Sequence, residues 1–244
     1  MINLKKLSAL VQSPKVLLKK YESIILLSHM RARSSVLSHV LGNNNEIAGY
    51  YEQHLDHKDK FFNIKVKANL LLEGNFPPEN TYIYDKVLHD RFDPRSFKEY
   101  KVIVLIRDPR ATLKSILSMG SINNSIWQDD PYRAFAYYCQ RLQSITDIVG
   151  KNNFDIFFIE SDDLVDKTDD ILDGISAFLE LDYPLSSHYK SFGKTGGVYG
   201  DPSDNIKLGS IVKTEINTAE VVPDELVEIA KYYYERCKNA CLKS

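Results

Sequence analysis

The stretch that decides the fold reads Ser23-Ile24-Ile25-Leu26-Leu27-Ser28-His29-Met30-Arg31-Ala32-Arg33-Ser34-Ser35. It opens with the apolar run Ile24–Leu27, which has the length and composition of a buried parallel strand. After the basic turn, apolar residues recur with the spacing of one helical face, at Val36, Leu37, Val40 and Leu41. The unpaired N–H groups and the dipole of such a helix start favour an anion. The stretch therefore predicts either an anion-binding loop or a basic loop that only caps the helix.

A second stretch has the same organisation. The run Lys101–Ile106, which is apolar from Val102 onward, predicts a buried strand, and Pro109 is well placed at the start of a following helix. Arg107 ends the strand, and Ser115 lies eight residues later, two turns into the helix. Both side chains can reach one phosphate at the carboxyl edge of a parallel sheet. Two such stretches in one chain favour the anion-binding interpretation of the first.

Together the two stretches resemble the sulfotransferases that use 3′-phosphoadenosine 5′-phosphosulfate. Met30–Ser35 is similar to their 5′-phosphosulfate loop, Pro-Arg/Lys-Ser-Gly-Thr/Ser-Ser/Thr, and Arg107 with Ser115 to their 3′-phosphate pair. Three positions depart from the loop pattern, and Arg33 replaces a glycine that allows close backbone approach. The resemblance extends from about Ser23 to about Ser210. It implies 3′-phosphoadenosine 5′-phosphosulfate as sulfuryl donor, no metal, and donor contacts from Arg31, Ala32, Arg33, Ser34, Ser35, Arg107 and Ser115.

The resemblance also implies catalytic residues. Glu52-Gln53-His54 looks like the Glu-x-His element of carbohydrate sulfotransferases, in which the Glu is the base and the His lies close by. Asp85-Lys86 is similar to an acidic-Lys pair whose Lys lies near the sulfuryl group. Arg31 corresponds to the Lys or Arg beside the bridging oxygen, which implies electrostatic stabilisation of the leaving group. The alternative for Glu52 and His54 is that they are solvated polar residues at a strand end.

A late glycine-rich loop occupies the place of the family's C-terminal donor-binding loop. Lys194 and Thr195 are the expected donor contacts there, and an ordinary surface loop is the competing interpretation. The activity implied is transfer of a sulfuryl group to a hydroxyl of a carbohydrate or other small metabolite. Two alternatives stay open: a nucleotide or small-molecule kinase on a related fold, and a silent member that binds nucleotide or glycan. The 30–35 loop does not favour a kinase, because the sequence has no Gly-x-x-x-x-Gly-Lys-Ser/Thr motif for the phosphates of a nucleoside triphosphate.

Length and composition set the wider limits. A chain of 244 residues with 43% hydrophobic and 26% charged residues predicts one globular domain over residues 1–244. The net charge of −2 argues against a nucleic-acid partner, and no apolar run approaches the length of a membrane span. The three cysteines have no further ligands at the spacing of a metal site, so the sequence predicts no structural metal. An odd number of cysteines and no export signal predict a reducing, cytoplasmic location. The sequence says nothing of oligomeric state.

Along the chain, strand and helix patterns alternate. This predicts an α/β fold of three layers, a mainly parallel central sheet flanked by helices, and the resemblance makes it the sulfotransferase version of the P-loop fold. The basic segment Met1–Lys20 predicts either a helix interrupted at Pro14 that packs on the domain or a helix in peripheral contact with a membrane surface. Further patterns predict strands over 46–54, 81–89 and 154–159, helices over 57–73, 109–118, 131–149, 161–179 and from 223 onward, and irregular loops over 121–130 and 183–217.

Overall fold

The computed structural model describes residues 4–77, 80–94, 99–123, 130–151, 155–195, 204–213 and 220–243. Within them lies a parallel sheet of five strands in the order β2-β3-β1-β4-β5. The strands are β1 Glu22–Ser28, β2 Ile47–Ala48, β3 Tyr82–Val87, β4 Tyr100–Ile106 and β5 Ile156–Glu160. This confirms the α/β class and the parallel sheet expected from the sequence.

Helices cover both faces of the sheet. They are α1 Leu4–Gln12, α2 Pro14–Leu18, α3 Ser34–Gly42, α4 Phe62–Leu72, α5 Pro109–Asn123, α6 Pro131–Lys151, α7 Asp163–Asp166, α8 Thr168–Phe178 and α9 Asp224–Cys241. Short 3₁₀ turns span Asp90–Phe92 and Asp204–Leu208. Pro14 separates α1 from α2, as its missing N–H predicts.

The central strands are apolar on both sides because each side has its own core. Alternate residues of a strand point to opposite faces, so Ile25 and Leu27 pack with α5, α6 and α9, whereas Ile24 and Leu26 pack with α3 and α8. A third cluster of buried residues lies beside the edge strand β2, and it contains Tyr50, Tyr51, Phe62, Val66 and Leu70. Burial on both faces explains the unbroken apolar runs in the sequence.

A buried arginine fastens the carboxyl ends of two strands. Arg141 on α6 donates to the carbonyl oxygens of Ser28 and Val87 at 2.9 Å each. Its guanidinium also pairs with Asp90 and Asp93, which offset the charge of a side chain that is 1% exposed. This contact fixes the edge of the sheet from which the 30–35 loop and the segment after β3 emerge.

The structure corrects several predicted boundaries. The predicted strand over 46–54 is a strand only at Ile47–Ala48, because Gly49 has a φ of 105° and donates its N–H to the Asn75 side chain instead of the ladder. The helix predicted from residue 57 begins at Phe62, and the one predicted to end at 118 continues to Asn123. The helix predicted over 161–179 breaks at Lys167, whose backbone is not helical.

Two predicted loops lie partly outside the described residues. Of the loop predicted over 121–130, residues 124–129 are outside them, as are residues 196–203 and 214–219 of the late irregular segment. The described part of the late segment contains a 3₁₀ turn and an isolated antiparallel bridge between His188 and Ser210. The start of the predicted strand at Phe154 also lies outside.

Candidate functional site

The 30–35 loop turns sharply between β1 and α3. Arg31 and Arg33 adopt left-handed backbone conformations, with φ of 64° and 61°. This geometry costs an L-residue about 1–2 kcal/mol, and at Arg33 it occurs where the resemblance places a glycine. The Arg33 guanidinium leaves the loop and donates to the carbonyl and hydroxyl oxygens of Ser161, both at 3.0 Å, and to Asp162 at 2.6 Å. Arg33 thus keeps a glycine-like backbone and ties the loop to the end of β5.

A cluster of two arginines and a serine lies on the β4 side of the loop. Arg107 is buried, and its Nη1 donates to the Arg31 carbonyl oxygen at 3.0 Å. Its Nε is buried and has no hydrogen-bond partner among the described residues. Ser115 on α5 accepts a bond from the Arg31 Nε at 2.9 Å. Burial, together with the charges of Arg33 and Arg31, lowers the pKa of Arg107 to about 10. An anion at this point would satisfy an unmet donor and offset that charge.

His29, which the sequence did not single out, connects this cluster to the loop. It is fully buried, and its Nε2 accepts the backbone N–H of Arg107 at 3.0 Å. Burial lowers the pKa of His29 to about 3, so the ring is neutral and its Nδ1–H donates to the Met30 carbonyl oxygen at 2.9 Å. The sequence signal for His29 is its position at the end of an apolar strand. That signal does not distinguish a histidine at a functional site from one that only packs in the core.

A second cluster lies on the β3 side of the loop. The Lys86 Nζ donates to the Ser35 hydroxyl at 3.3 Å and lies 3.9 Å from Glu52 Oε1. The other Glu52 oxygen is 3.2 Å from His54 Nε2. Burial raises the pKa of Glu52, although the charges of Lys86 and His54 act in the opposite direction. The structure thus brings Glu52, His54, Lys86 and Ser35 together, with a carboxylate poised to accept a proton.

Asp85 positions this second cluster from the opposite face of β3. Its two carboxylate oxygens accept the Gln53 backbone N–H at 2.9 Å and meet His57 Nε2 at 2.8 Å. Gln53 lies between the two candidate catalytic residues, so Asp85 fixes the segment that carries them. His57 is a second residue that sequence reasoning missed, because only the fold brings it into contact with Asp85 on β3.

Three expected site residues have other near neighbours. The Arg31 guanidinium is directed at Ser115 on α5, on the side of the loop away from the second cluster. Lys194 pairs with Glu73 and lies 3.8 Å from the centre of the Tyr51 ring. Thr195 and the His39 Nε2 are 2.8 Å apart, and the His39 Nδ1 is 2.7 Å from the Ser35 carbonyl oxygen. Thr195 therefore reaches the loop through His39.

Solved structures share this architecture over most of the chain. A sulfotransferase domain from the curacin biosynthetic pathway matches with a TM-score of 0.61 and 18% identity, over 88% of this chain and 98% of that one. A sulfotransferase domain from the Synechococcus PCC 7002 olefin synthase matches with a TM-score of 0.57 and 17% identity, over 88% and 96%. The chain has the sulfotransferase fold. A match to sulfotransferase STF9 from Mycobacterium avium has a TM-score of 0.50 and 11% identity, over 72% and 68%.

At these identities the fold is what the neighbours share. No family model matches the sequence, and no curated protein sequence matches it significantly. On its sulfotransferase fold, the chain carries two clusters along one sheet edge, separated by the 30–35 loop. One presents cations, and the other pairs a lysine with a buried carboxylate. In the described part of the chain, no group of three or more His, Cys, Asp or Glu side chains is arranged to hold a metal ion.

Proposed function

We propose that this protein transfers a sulfuryl group from 3′-phosphoadenosine 5′-phosphosulfate to a hydroxyl of a carbohydrate or another small metabolite. The observation that carries the proposal is the meeting of Glu52, Lys86 and Ser35 at the 30–35 loop. A base for the acceptor proton, a cation for the sulfuryl oxygens and a helix N-terminus for the phosphate thus lie within one site.

The first cluster fits the 3′-phosphate of the donor. The buried Arg107 Nε lacks a partner among the described residues, and the Ser115 hydroxyl lies on the same side of the loop. A phosphate has enough acceptor oxygens for both groups and for the Arg31 guanidinium. In this conformation the Arg31 guanidinium is directed at Ser115, so we assign Arg31 to the donor's 3′-phosphate. Stabilisation of the leaving group is its second proposed role.

The chemical step places the protein's residues in simple roles. The acceptor oxygen forms a bond to sulfur while the bond from sulfur to the bridging phosphate oxygen breaks, which releases adenosine 3′,5′-bisphosphate. Glu52 takes the acceptor proton, and His54 orients its carboxylate. Lys86 and the Ser35 hydroxyl stabilise the charge that redistributes over the sulfuryl oxygens. The raised pKa of Glu52 makes it a better proton acceptor than an ordinary glutamate.

The acceptor is assigned to a cavity beside the second cluster. A cavity of about 370 Å³ is lined by His89, Asp90, Arg91, Tyr137, Gln140 and Arg141. Phe92 connects the cavity to His54, because the centres of the two rings lie 5.5 Å apart and the Arg91 guanidinium carbon lies 4.4 Å from the centre of the Phe92 ring. Carboxylate and amide groups beside an aromatic ring suit a polyhydroxylated molecule, which supports a carbohydrate-like acceptor.

Transfer of labelled sulfate from the donor to a panel of sugars and small alcohols tests the activity. Thermal stabilisation by adenosine 3′,5′-bisphosphate without magnesium is expected. Stabilisation only by ATP with magnesium would favour the kinase instead. Bisphosphate binding without transfer to any acceptor would favour a silent member.

The Arg31→Ala variant separates the two roles of Arg31. A role at the 3′-phosphate predicts weaker bisphosphate binding, and a role at the leaving group predicts slower turnover with saturating donor.

A further inference from the structure

The N-terminal helices present an apolar stripe to solvent. Leu4, Leu7 and Val11 recur at the spacing of one face of α1 and are 84%, 52% and 67% exposed. Leu18, at the end of α2, is 83% exposed. Another side of α1, which carries the buried Leu10, packs against α4. The stripe is therefore not required to hold the helix on the domain.

The segment that carries the stripe is rich in lysine. Residues 4–20 contain five of the chain's 31 lysines and arginines and none of its 33 acidic residues, which leaves the rest of the chain with a net charge of −7. Lys5, Lys15 and Lys20 are exposed, and Lys19 donates to the Asn80 carbonyl oxygen. Leucines flanked by lysines on a short helix are the composition of a segment that lies in a lipid interface.

We propose that α1 and α2 dock on an anionic membrane surface, with the stripe of Leu4, Leu7 and Val11 in the acyl boundary and the lysines at the headgroups. The charge pattern argues against a second copy as the occupant. A symmetric dimer through this surface would place the same patch against itself and bring ten lysines together. An anionic surface instead complements both the apolar stripe and the charge.

The position of the surface is compatible with the site. Lys19 bonds Asn80 near the amino-terminal edge of the sheet, whereas Glu52, Lys86 and Arg107 lie at the carboxyl edge. The end of the proposed docking segment and the candidate site thus lie at opposite edges of the sheet. No helix in the described ranges is long and apolar enough to cross a membrane, and the proposed contact needs none.

Flotation of the full chain with phosphatidylcholine vesicles, with and without phosphatidylserine, tests the proposal. The protein is expected to float with the anionic vesicles only, and added salt should release it. Leu7→Ser/Val11→Ser and Lys5→Gln/Lys15→Gln should each weaken vesicle binding about tenfold or more. Val221→Ser/Ile229→Ser is the matched control, because these apolar residues are also exposed but lie elsewhere. The control should bind vesicles as the unmodified protein does.

Three outcomes would overturn the proposal. The first is no binding to anionic vesicles, and the second is equal binding of the Leu7→Ser/Val11→Ser variant. The third is a dimer in light scattering that this variant dissociates, which would assign the face to a second copy. All substituted residues are exposed, so circular dichroism should show an unchanged fold, and bisphosphate binding should also be unchanged.

Discussion

Arg107→Met should strongly weaken recognition of the donor's 3′-phosphate. One guanidinium nitrogen is used by the Arg31 carbonyl oxygen, and the buried Nε has no partner among the described residues. The side chain therefore has one to two charge-assisted bonds to offer a phosphate, each worth about 1.5–3 kcal/mol. A loss of about 3 kcal/mol corresponds to about 100-fold in affinity. Methionine keeps most of the apolar stem and removes the charge.

Calorimetry with two ligands isolates the effect. The unmodified protein should bind adenosine 3′,5′-bisphosphate more than about 100-fold more tightly than adenosine 5′-phosphate, and Arg107→Met should lose about 100-fold of that preference. Ser115→Ala should reduce the preference by less, because a neutral hydroxyl contributes about 0.5–1.5 kcal/mol. Arg110→Met is the control, since Arg110 is near Arg107 in sequence but pairs with Asp224 at the surface. An equal loss for both ligands, or no loss, would refute the assignment.

The same variant should not destabilise the protein without ligand. The folded structure lowers the pKa of Arg107 to about 10, so it disfavours the charged form at every pH below that value. Replacing the cation removes that penalty, and the cost is one bond to a carbonyl oxygen. The melting temperature should therefore stay equal or rise. A clear fall would mean that Arg107 has a mainly structural role.

Three further substitutions test the rest of the site. Glu52→Gln should lower turnover about 10²–10⁴-fold with bisphosphate binding retained, and wild-type turnover would exclude Glu52 as the base. The raised pKa means that folding disfavours the charged form of Glu52, so the variant should also have a larger free energy of unfolding at pH 7 but not at pH 4. Lys86→Ala should lower turnover with saturating donor more than it weakens bisphosphate affinity, and near-normal turnover would remove Lys86 from the chemical step. Arg33→Gly should change the free energy of unfolding in urea by only about 1 kcal/mol, because relief of the left-handed strain offsets the lost bonds to Ser161 and Asp162. Arg33→Ala loses the same bonds but keeps the strain, so its free energy of unfolding should fall further.

The sequence was sufficient for the architecture and for the position of the basic turn between β1 and α3. Both follow from local information: a buried parallel strand is apolar throughout, a helix face repeats every three to four residues, and a basic turn between them adjoins a helix N-terminus. Arg107 and Ser115 were also predictable together, because eight residues separate a strand end from the second turn of the next helix. The structure places them on the same side of the 30–35 loop.

Only the tertiary structure decided which side chains meet. Arg33 finds its partner at Ser161, 128 residues away, and this contact explains how an arginine occupies a left-handed position. Asp85 and Lys86 are adjacent in sequence but point to opposite faces of β3, so one holds the Gln53 backbone and the other meets Ser35. His29 is ordinary in sequence and connects Met30 to Arg107. Such partners are set by the packing of distant elements, which local periodicity does not encode.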